Sequence, residues 1–229
     1  MNIAIIPARG GSKRIPKKNI RLFRGKHMIA WSIDAAIKSN CFDKIFVSTD
    51  SKEIASIAKD YGAWVPCIRP KNLSDDYSTT KEVIVHCLDW LKQNDFSPNY
   101  VCCLYATAPF VRADDLKNGF ELVRNKDKFV FSATKFPFPI QRAIKINKYG
   151  IASMFNPEKF NFRSQDLENA YHDAGQFYIA KPEIWINQLN LFEGSMPILI
   201  PNWRVQDIDE EDDWERAEIL HEILEKKAL

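Results

Sequence analysis

The 229-residue sequence predicts an α/β protein: a doubly wound, mostly parallel sheet carrying an inserted segment. Three observations predict it. Short apolar runs alternate with stretches of helical spacing from residue 2 to residue 135. Those runs are continuously apolar rather than alternating, as in strands buried on both faces. The alternation then breaks at a proline-rich stretch and resumes near residue 176.

The elements follow in order. Residues 2–8 (NIAIIPA) form the first buried strand. Residues 27–40 place Ile29, Ile33, Ala36 and Ile37 at helical spacing. KIFVST at 44–49 is the second strand, and residues 51–61 make a short helix that Ser51 or Asp50 caps. Residues 79–93 form a helix with Val83, Ile84, Cys87, Leu88 and Leu91 on one side. A strand at 100–106, a helix at 112–125 and a strand at 130–135 continue the rhythm. FPFP at 136–139 forbids a helix, and residues 142–146, a turn at 147–150 and residues 151–155 read as a hairpin. QFYIA at 176–180 and residues 197–201 restore strands, and 210–227 is an amphipathic helix with Trp214, Ala217, Leu220 and Leu224 on one face. One domain, 1–229, is expected, with an excursion at about 136–170. Its Phe155, Phe160 and Phe162 would leave an apolar patch on a monomer, so a neighbouring subunit is a natural cover.

Composition limits the function. Thirty-two basic and 30 acidic residues leave a net charge of +2, which gives no global pull toward nucleic acid or membrane. No run approaches the ~18 apolar residues of a membrane span, and the N-terminus lacks a signal-peptide pattern. The five cysteines form no CxxC pair and read as small buried thiols of a cytoplasmic protein.

Charge arrangement is more telling. From Arg9 to Lys26 there are eight basic residues and no acidic one, beginning where the first strand ends. Ligands of open α/β sheets sit at the carboxyl ends of strands. Gly10 and Gly11 allow a tight turn with N–H groups aimed at an anion, and Arg9, Lys13 and Lys18 add charged donors. Two readings stand: a polyphosphate site or a solvated basic loop. Neither GxGxxG nor GxxxxGK[ST] is present. No aromatics are interleaved with Arg9–Lys18, which weakens a nucleic-acid reading, as does the neutral overall balance. Far along the chain, Asp207 to Glu215 carries seven acidic residues and no basic one. Glu210–Asp213 suit the first turn of a helix. Asp207 and Asp209 precede it, and in an extended segment they share a face, as two carboxylates holding Mg²⁺ beside phosphates would.

Four motifs carry a resemblance across nearly the whole chain. IIPARGGSKRIPKKN, RPxxLSxDxxxT at 69–80, LYATAPF at 104–110 and DIDxEDD at 207–213 resemble, in order, those of the nonulosonate cytidylyltransferases, the CMP-sialic acid synthetase family. LYATAPF, FPFPIQRA at 136–143 and DAGQFY at 173–178 resemble the pseudaminic acid branch, and 3-deoxy-octulosonate cytidylyltransferases are more distant. The resemblance implies transfer of CMP from CTP to a nine-carbon α-keto sugar acid, with release of pyrophosphate. It implies that Arg9, Ser12, Lys13, Lys18 and Asn19 grip the nucleotide phosphates, that Arg69, Ser78 and Thr80 read cytosine, and that Asp207 and Asp209 hold the metal. It also implies that the excursion dimerises the protein and lends residues to the partner's site. Tyr105, Gln176 and Tyr178 mark the departures from the sialate pattern and are candidates for the sugar; Tyr105 and Tyr178 read equally well as core aromatics. Arg142 and Arg163 are candidates for the sugar carboxylate or solvated arginines of the excursion. His172 is the one candidate base, and a structural role suits it as well. A catalytically silent nucleotide-binding regulator is the competing class, and intact Asp207 and Asp209 speak against it.

Overall fold

The computed structural model describes residues 1–227; Ala228 and Leu229 of the expected domain lie outside the described residues. The strands are β1 (Asn2–Pro7), β2 (Leu22–Phe23), β3 (Lys26–His27), β4 (Lys44–Ser48), β5 (Tyr100–Leu104), β6 (Val130–Lys135), β7 (Ile144–Ile146), β8 (Ala152–Met154), β9 (Tyr171–Ala180) and β10 (Met196–Leu199). The α-helices are α1 (Met28–Ser39), α2 (Lys52–Asp60), α3 (Thr80–Gln93), α4 (Ala113–Val123), α5 (Pro182–Asn187) and α6 (Glu211–Lys227).

Six strands form the central sheet in the order β10-β6-β9-β5-β1-β4. β1 pairs in parallel with both β4 and β5, and β10 in parallel with β6. β9 runs antiparallel to both its neighbours. That is the one departure from a parallel sheet, and its cause is topological. β9 follows β6 through the excursion without a helical crossover, and a strand that returns beside its predecessor that way returns reversed. The sheet is covered on both faces. Ile29, Ile33, Ile54 and Leu116 of α1, α2 and α4 pack with Ala4, Ile6 and Phe177 on one side. Ile84, Cys87 and Leu91 of α3 and Trp185 of α5 pack with Ile3, Ile5 and Tyr178 on the other. A third cluster joins Phe23, Met28, Ile208 and Trp214, so the start of α6 is tied to the ribbon β2–β3.

The helix ends follow local chemistry. Ser51, not Asp50, caps α2 by accepting the Ile54 N–H. Thr79 and Glu82 close a reciprocal capping box on α3. The expected hairpin of the excursion is β7–β8, antiparallel with Ile144 opposite Met154. Cys87, Cys102 and Cys103 are buried and free, and burial pushes the Cys87 thiol up to about 12. None of the helices described is long and apolar enough to cross a membrane.

Candidate active site

β1 sits between β4 and β5, so the connections leaving β1 and β5 diverge at their carboxyl ends. A crevice opens there in doubly wound sheets. Here it is a cleft of about 670 Å³, lined by Pro7 at the end of β1 with Arg9 and Ser12 after it, and by Tyr105–Thr107 after β5.

The basic run divides between both readings. Arg9, Lys13, Arg14 and Lys18 line the cleft. The other four pair with the surrounding surface: Lys17 with Glu53, Arg21 with Glu211, Arg24 with Glu222 and Glu225, and Lys26 with Asp34. Local structure aims the first set. Ile15 is fully buried, and Lys17 adopts a left-handed conformation (φ 55°), so the chain turns between them. The Asn19 amide donates to the Arg9 carbonyl at 2.9 Å and closes the loop on itself.

The glycine pair acts otherwise than expected. Neither Gly10 nor Gly11 has a positive φ. The Gly10 N–H donates to Asp50 Oδ1 at 2.8 Å, so a resident carboxylate holds it. A Cβ on Gly10 would stand 3.1 Å from Ser51 Cβ, so glycine serves a close approach between the loop and the start of α2. Gly11 faces open space.

The acidic pair meets the basic loop here. Ile208 is buried, and Asp207 and Asp209 flank it. Asp209 lines the cleft, 2.9 Å from Arg14 and 3.4 Å from Lys18 Nζ, which also donates to the Ile208 carbonyl at 2.6 Å. Asp207 stands outside the lining; partial desolvation raises its carboxyl and the Asp209 carboxylate adds to the rise. Asp213 belongs to the helix start, accepting the N–H groups of Asp209 and Glu210, which lower its carboxyl.

Across the cleft, the segment before α3 supplies Arg69, Leu73, Asp75, Asp76, Ser78 and Thr80. Arg69 is buried, donates to Ser74 Oγ at 3.2 Å, and its pKa is lowered by burial. Asp76 accepts from both Arg9 and Lys13, and the Asp75 carbonyl takes a further N–H of Arg9 at 2.7 Å. The Asp75 carboxylate accepts the Ser78 hydroxyl at 2.7 Å. At the sheet end, the Tyr105 hydroxyl lies 3.2 Å from Thr80 Oγ1, and its ring meets Tyr178 with centroids 5.5 Å apart.

Sequence reasoning thus names ten residues that share the cleft: Arg9, Ser12, Lys13, Lys18, Asn19, Arg69, Ser78, Thr80, Tyr105 and Asp209. It misses Arg14, Asp75, Asp76 and Thr107. Asp76 had a signal, as the fixed acid of RPxxLSxDxxxT; Arg14 had none beyond the charge run. Five further candidates stand elsewhere. Gln176 is buried, and its amide donates to the Arg204 carbonyl at 2.8 Å instead of reaching the cleft, because its position in β9 turns it into the core. Tyr178 is also buried, one layer behind Tyr105. Arg142 bonds Ser164 and Arg163 pairs with Asp166, both exposed on the excursion. His172 packs against Phe136 and bonds the Asp173 carbonyl at 2.8 Å.

Residues 3–192 match the sequence model of the family described as cytidylyltransferase. The chain belongs to the cytidylyltransferase family. It is 44% identical to the pseudaminic acid cytidylyltransferase of Campylobacter jejuni, with 100% of this chain and 99% of that protein aligned. It is 35% identical to the CMP-N,N'-diacetyllegionaminic acid synthase of Legionella pneumophila over 99% of this chain and 98% of the other. Among solved structures, a CMP:2-keto-3-deoxy-manno-octonic acid synthetase complexed with CTP shares the fold, with a TM-score of 0.70 at 16% identity over 96% of this chain and 98% of the other. Two of the motifs that carry the resemblance fall on the rims of the cleft: the basic loop on one, and the segment before α3 on the other.

Proposed function

We propose that this cytidylyltransferase transfers CMP from CTP to pseudaminic acid and releases pyrophosphate. One observation carries the reading: a cleft with four cations at one rim and Tyr105 at its sheet end, in a chain 44% identical along its whole length to a pseudaminic acid cytidylyltransferase.

The chemistry follows from the lining. A triphosphate entering the cleft replaces Asp76 on Arg9 and Lys13, exchanging one anion for another on the same donors. Lys18, held beside Asp209, would stabilise charge growing on the departing pyrophosphate. Arg69, Ser78 and Thr80, at the opposite rim, would read the base. The sugar's anomeric hydroxyl attacks the α-phosphorus, and the protein's work is positioning and charge neutralisation. Asp207 and Asp209 offer carboxylate oxygens only, a donor set that suits a hard cation, and they would hold Mg²⁺. A Mg²⁺ held by these carboxylates would supply positive charge to offset that of the phosphates.

The excursion serves a homodimer in this reading. Phe138, Ile146, Phe155 and Phe160 are each exposed by 60% or more, an apolar surface that a second copy would cover. The protein would work in the cytoplasm, where CTP is available.

Pyrophosphate release measured against a panel of nonulosonic acids and the eight-carbon analogue tests the assignment. The expected result is a clear preference for pseudaminic acid over N-acetylneuraminic and legionaminic acids. Equal kcat/KM values would remove the sugar assignment and leave cytidylyl transfer. No turnover with any of them would support the silent-binder class instead. Asp209→Asn, like a chelator added to the wild type, should abolish activity; full activity at low Mg²⁺ would reduce the acidic pair to a helix-start cluster. Replacing residues 137–169 with a short glycine linker should give an inactive monomer, and light scattering of a monomeric intact protein would defeat the dimer.

A further inference from the structure

The peptide that joins Tyr105 to Ala106, at the sheet end of the cleft, is held from outside the sheet. β5 runs antiparallel to β9, and just past the end of β5 the Tyr105 N–H donates to the Gln176 carbonyl at 2.9 Å. In a regular antiparallel pair the Gln176 N–H would return a bond to the Tyr105 carbonyl. It does not, because β9 bulges there. Tyr178 is opposite Phe131 and Asp173 opposite Ala133, so five steps of β9 span two of β6. Gly175, at φ 61°, makes the detour, and the N–H groups of Gln176 and Phe177 turn to Ser132 Oγ at 3.1 and 3.2 Å.

The Tyr105 carbonyl is left without its strand partner, and α1 supplies another. Ser32 is fully buried, and its hydroxyl donates to that carbonyl at 2.7 Å. No cis peptide occurs among the described residues, and a trans peptide points its carbonyl and its N–H in opposite directions. With the carbonyl drawn toward α1, the N–H of Ala106 is aimed away from α1, to the side of the sheet that α3 covers. There Thr80 and Val83 of α3 line the cleft, and the Tyr105 hydroxyl meets Thr80. Ala106 lines the cleft too and is 3% exposed. Among the described residues its N–H has no hydrogen-bond partner. Orphaned N–H groups on buried residues are rare, so this one points to a ligand.

The chemistry of the donor selects the ligand atom. A sugar hydroxyl both donates and accepts, and the hydroxyls of Tyr105 and Thr80 can meet it either way. A backbone N–H only donates, so its natural partner only accepts. The ionised carboxylate of a sugar acid is such a group, and hydrogen bonds to it are the stronger kind. Arg142 and Arg163, the arginines expected to take it, bond within the excursion instead. We propose that the Ala106 N–H, aimed by Ser32, receives the carboxylate of the sugar substrate. Ala106 then binds through its backbone, and Ser32 is a positioning residue. The inference rests on the functional reading above and adds the group that recognises the acid.

The test uses the full-length enzyme labelled with ¹⁵N-alanine, and pseudaminic acid as the probe. The Ala106 amide proton should shift downfield when the sugar acid is added, and its exchange with solvent should slow. No shift, the same shift with pyrophosphate alone, or an equal shift with the analogue whose carboxylate is reduced to an alcohol would overturn the proposal. Kinetics give a second arm. Ala106→Pro removes the N–H at the second position of a turn, where proline fits. The KM for the sugar should rise about ten- to a hundred-fold, the usual worth of one hydrogen bond to a charged group, while the KM for CTP stays unchanged. Ser32→Ala should raise the same KM by less, and should move the Ala106 resonance of the free enzyme. In the Ala106→Pro background it should add nothing to the KM. Equal rises for sugar and CTP, an unmoved resonance in Ser32→Ala, or full additivity would refute the role of Ser32. Failure of the functional reading is recognised separately, by a wild type that turns over no nonulosonic acid; it ends the carboxylate assignment, while the resonance in Ser32→Ala, read without sugar, still decides the positioning.

Discussion

At one wall of the cleft, Lys13 and Arg9 reach from a surface loop, and the Lys13 side chain is 79% exposed. At the other, Tyr105 stands at the end of β5 with Tyr178 behind it, 3% exposed and bonded to Asp173. The loop wall is made of exposed charges, and Asp76 pairs with both Arg9 and Lys13. The sheet wall is made of neutral hydroxyls whose partners are fixed by strand register. Binding strength and charge neutralisation can sit on a mobile support because they are long-ranged. Discrimination between similar sugars needs groups held rigidly, because an unpaired buried polar group is the penalty that separates them.

Substitutions on the two walls should therefore fail in different ways. The largest effect is expected behind the sheet wall. Arg204, whose carbonyl receives Gln176, forms a buried ion pair with Asp115. Asp115→Ala leaves that guanidinium unpaired and should cost about 3–5 kcal/mol of stability. Urea unfolding measures it; an unchanged midpoint would mean that the sheet wall has no such backing. Next is the loop wall. Lys18→Ala should lower kcat about 10²- to 10³-fold, the usual cost of one donor at a developing charge, with a loss of stability well below that of Asp115→Ala although the Ile208 carbonyl loses its donor. A matching loss of stability would erase the contrast between the walls.

Smaller effects sharpen it. Gln176→Ala removes a buried donor to the Arg204 carbonyl and should cost about 1–3 kcal/mol in a thermal melt. The KM for the sugar should hardly move, whereas a rise confined to that KM would return Gln176 to the site. Lys13→Ala should give the mildest change, a loss of kcat/KM with CTP well below that of Lys18→Ala, because its charge already stands in water while the Lys18 side chain is only 19% exposed. Equal losses would mean that exposure does not grade the loop's cations.

The sequence makes the loop wall legible and hides most of the sheet wall. Arg9–Lys18 cluster locally, so charge and glycine are visible without knowledge of the fold. The larger strands and helices from Asn2 to Lys135 are visible too, because their apolar spacing repeats, whereas the two-residue strands β2 and β3 are not. β9 is not: its first half, YHDAG, is partly exposed and carries no apolar run, so only 176–180 reads as strand. Its reversal, its bulge and the meeting of Asp173 with Tyr178 depend on register against β6, which no local pattern encodes. The same blindness makes Gln176 look like a binding residue when it closes a core hydrogen bond. Asp76 is a motif acid whose partners, Arg9 and Lys13, lie more than sixty positions away.

The reversal of β9 has a consequence for how the molecule is put together. Lys135 and Tyr171 are register partners on adjacent strands, and the Phe136 N–H bonds the Ala170 carbonyl at 3.0 Å. The whole excursion is thus the connection of a hairpin, entering and leaving through one gap between neighbouring strands. Lengthening such a connection is thermodynamically cheap, about 0.6 kcal/mol for each doubling of its length. A short turn would close the same gap with every pairing of the central sheet intact. The chain from 136 to 170 is therefore free to be rewritten, residue by residue or in total length, while the cytidylyltransferase fold beneath it stays the same.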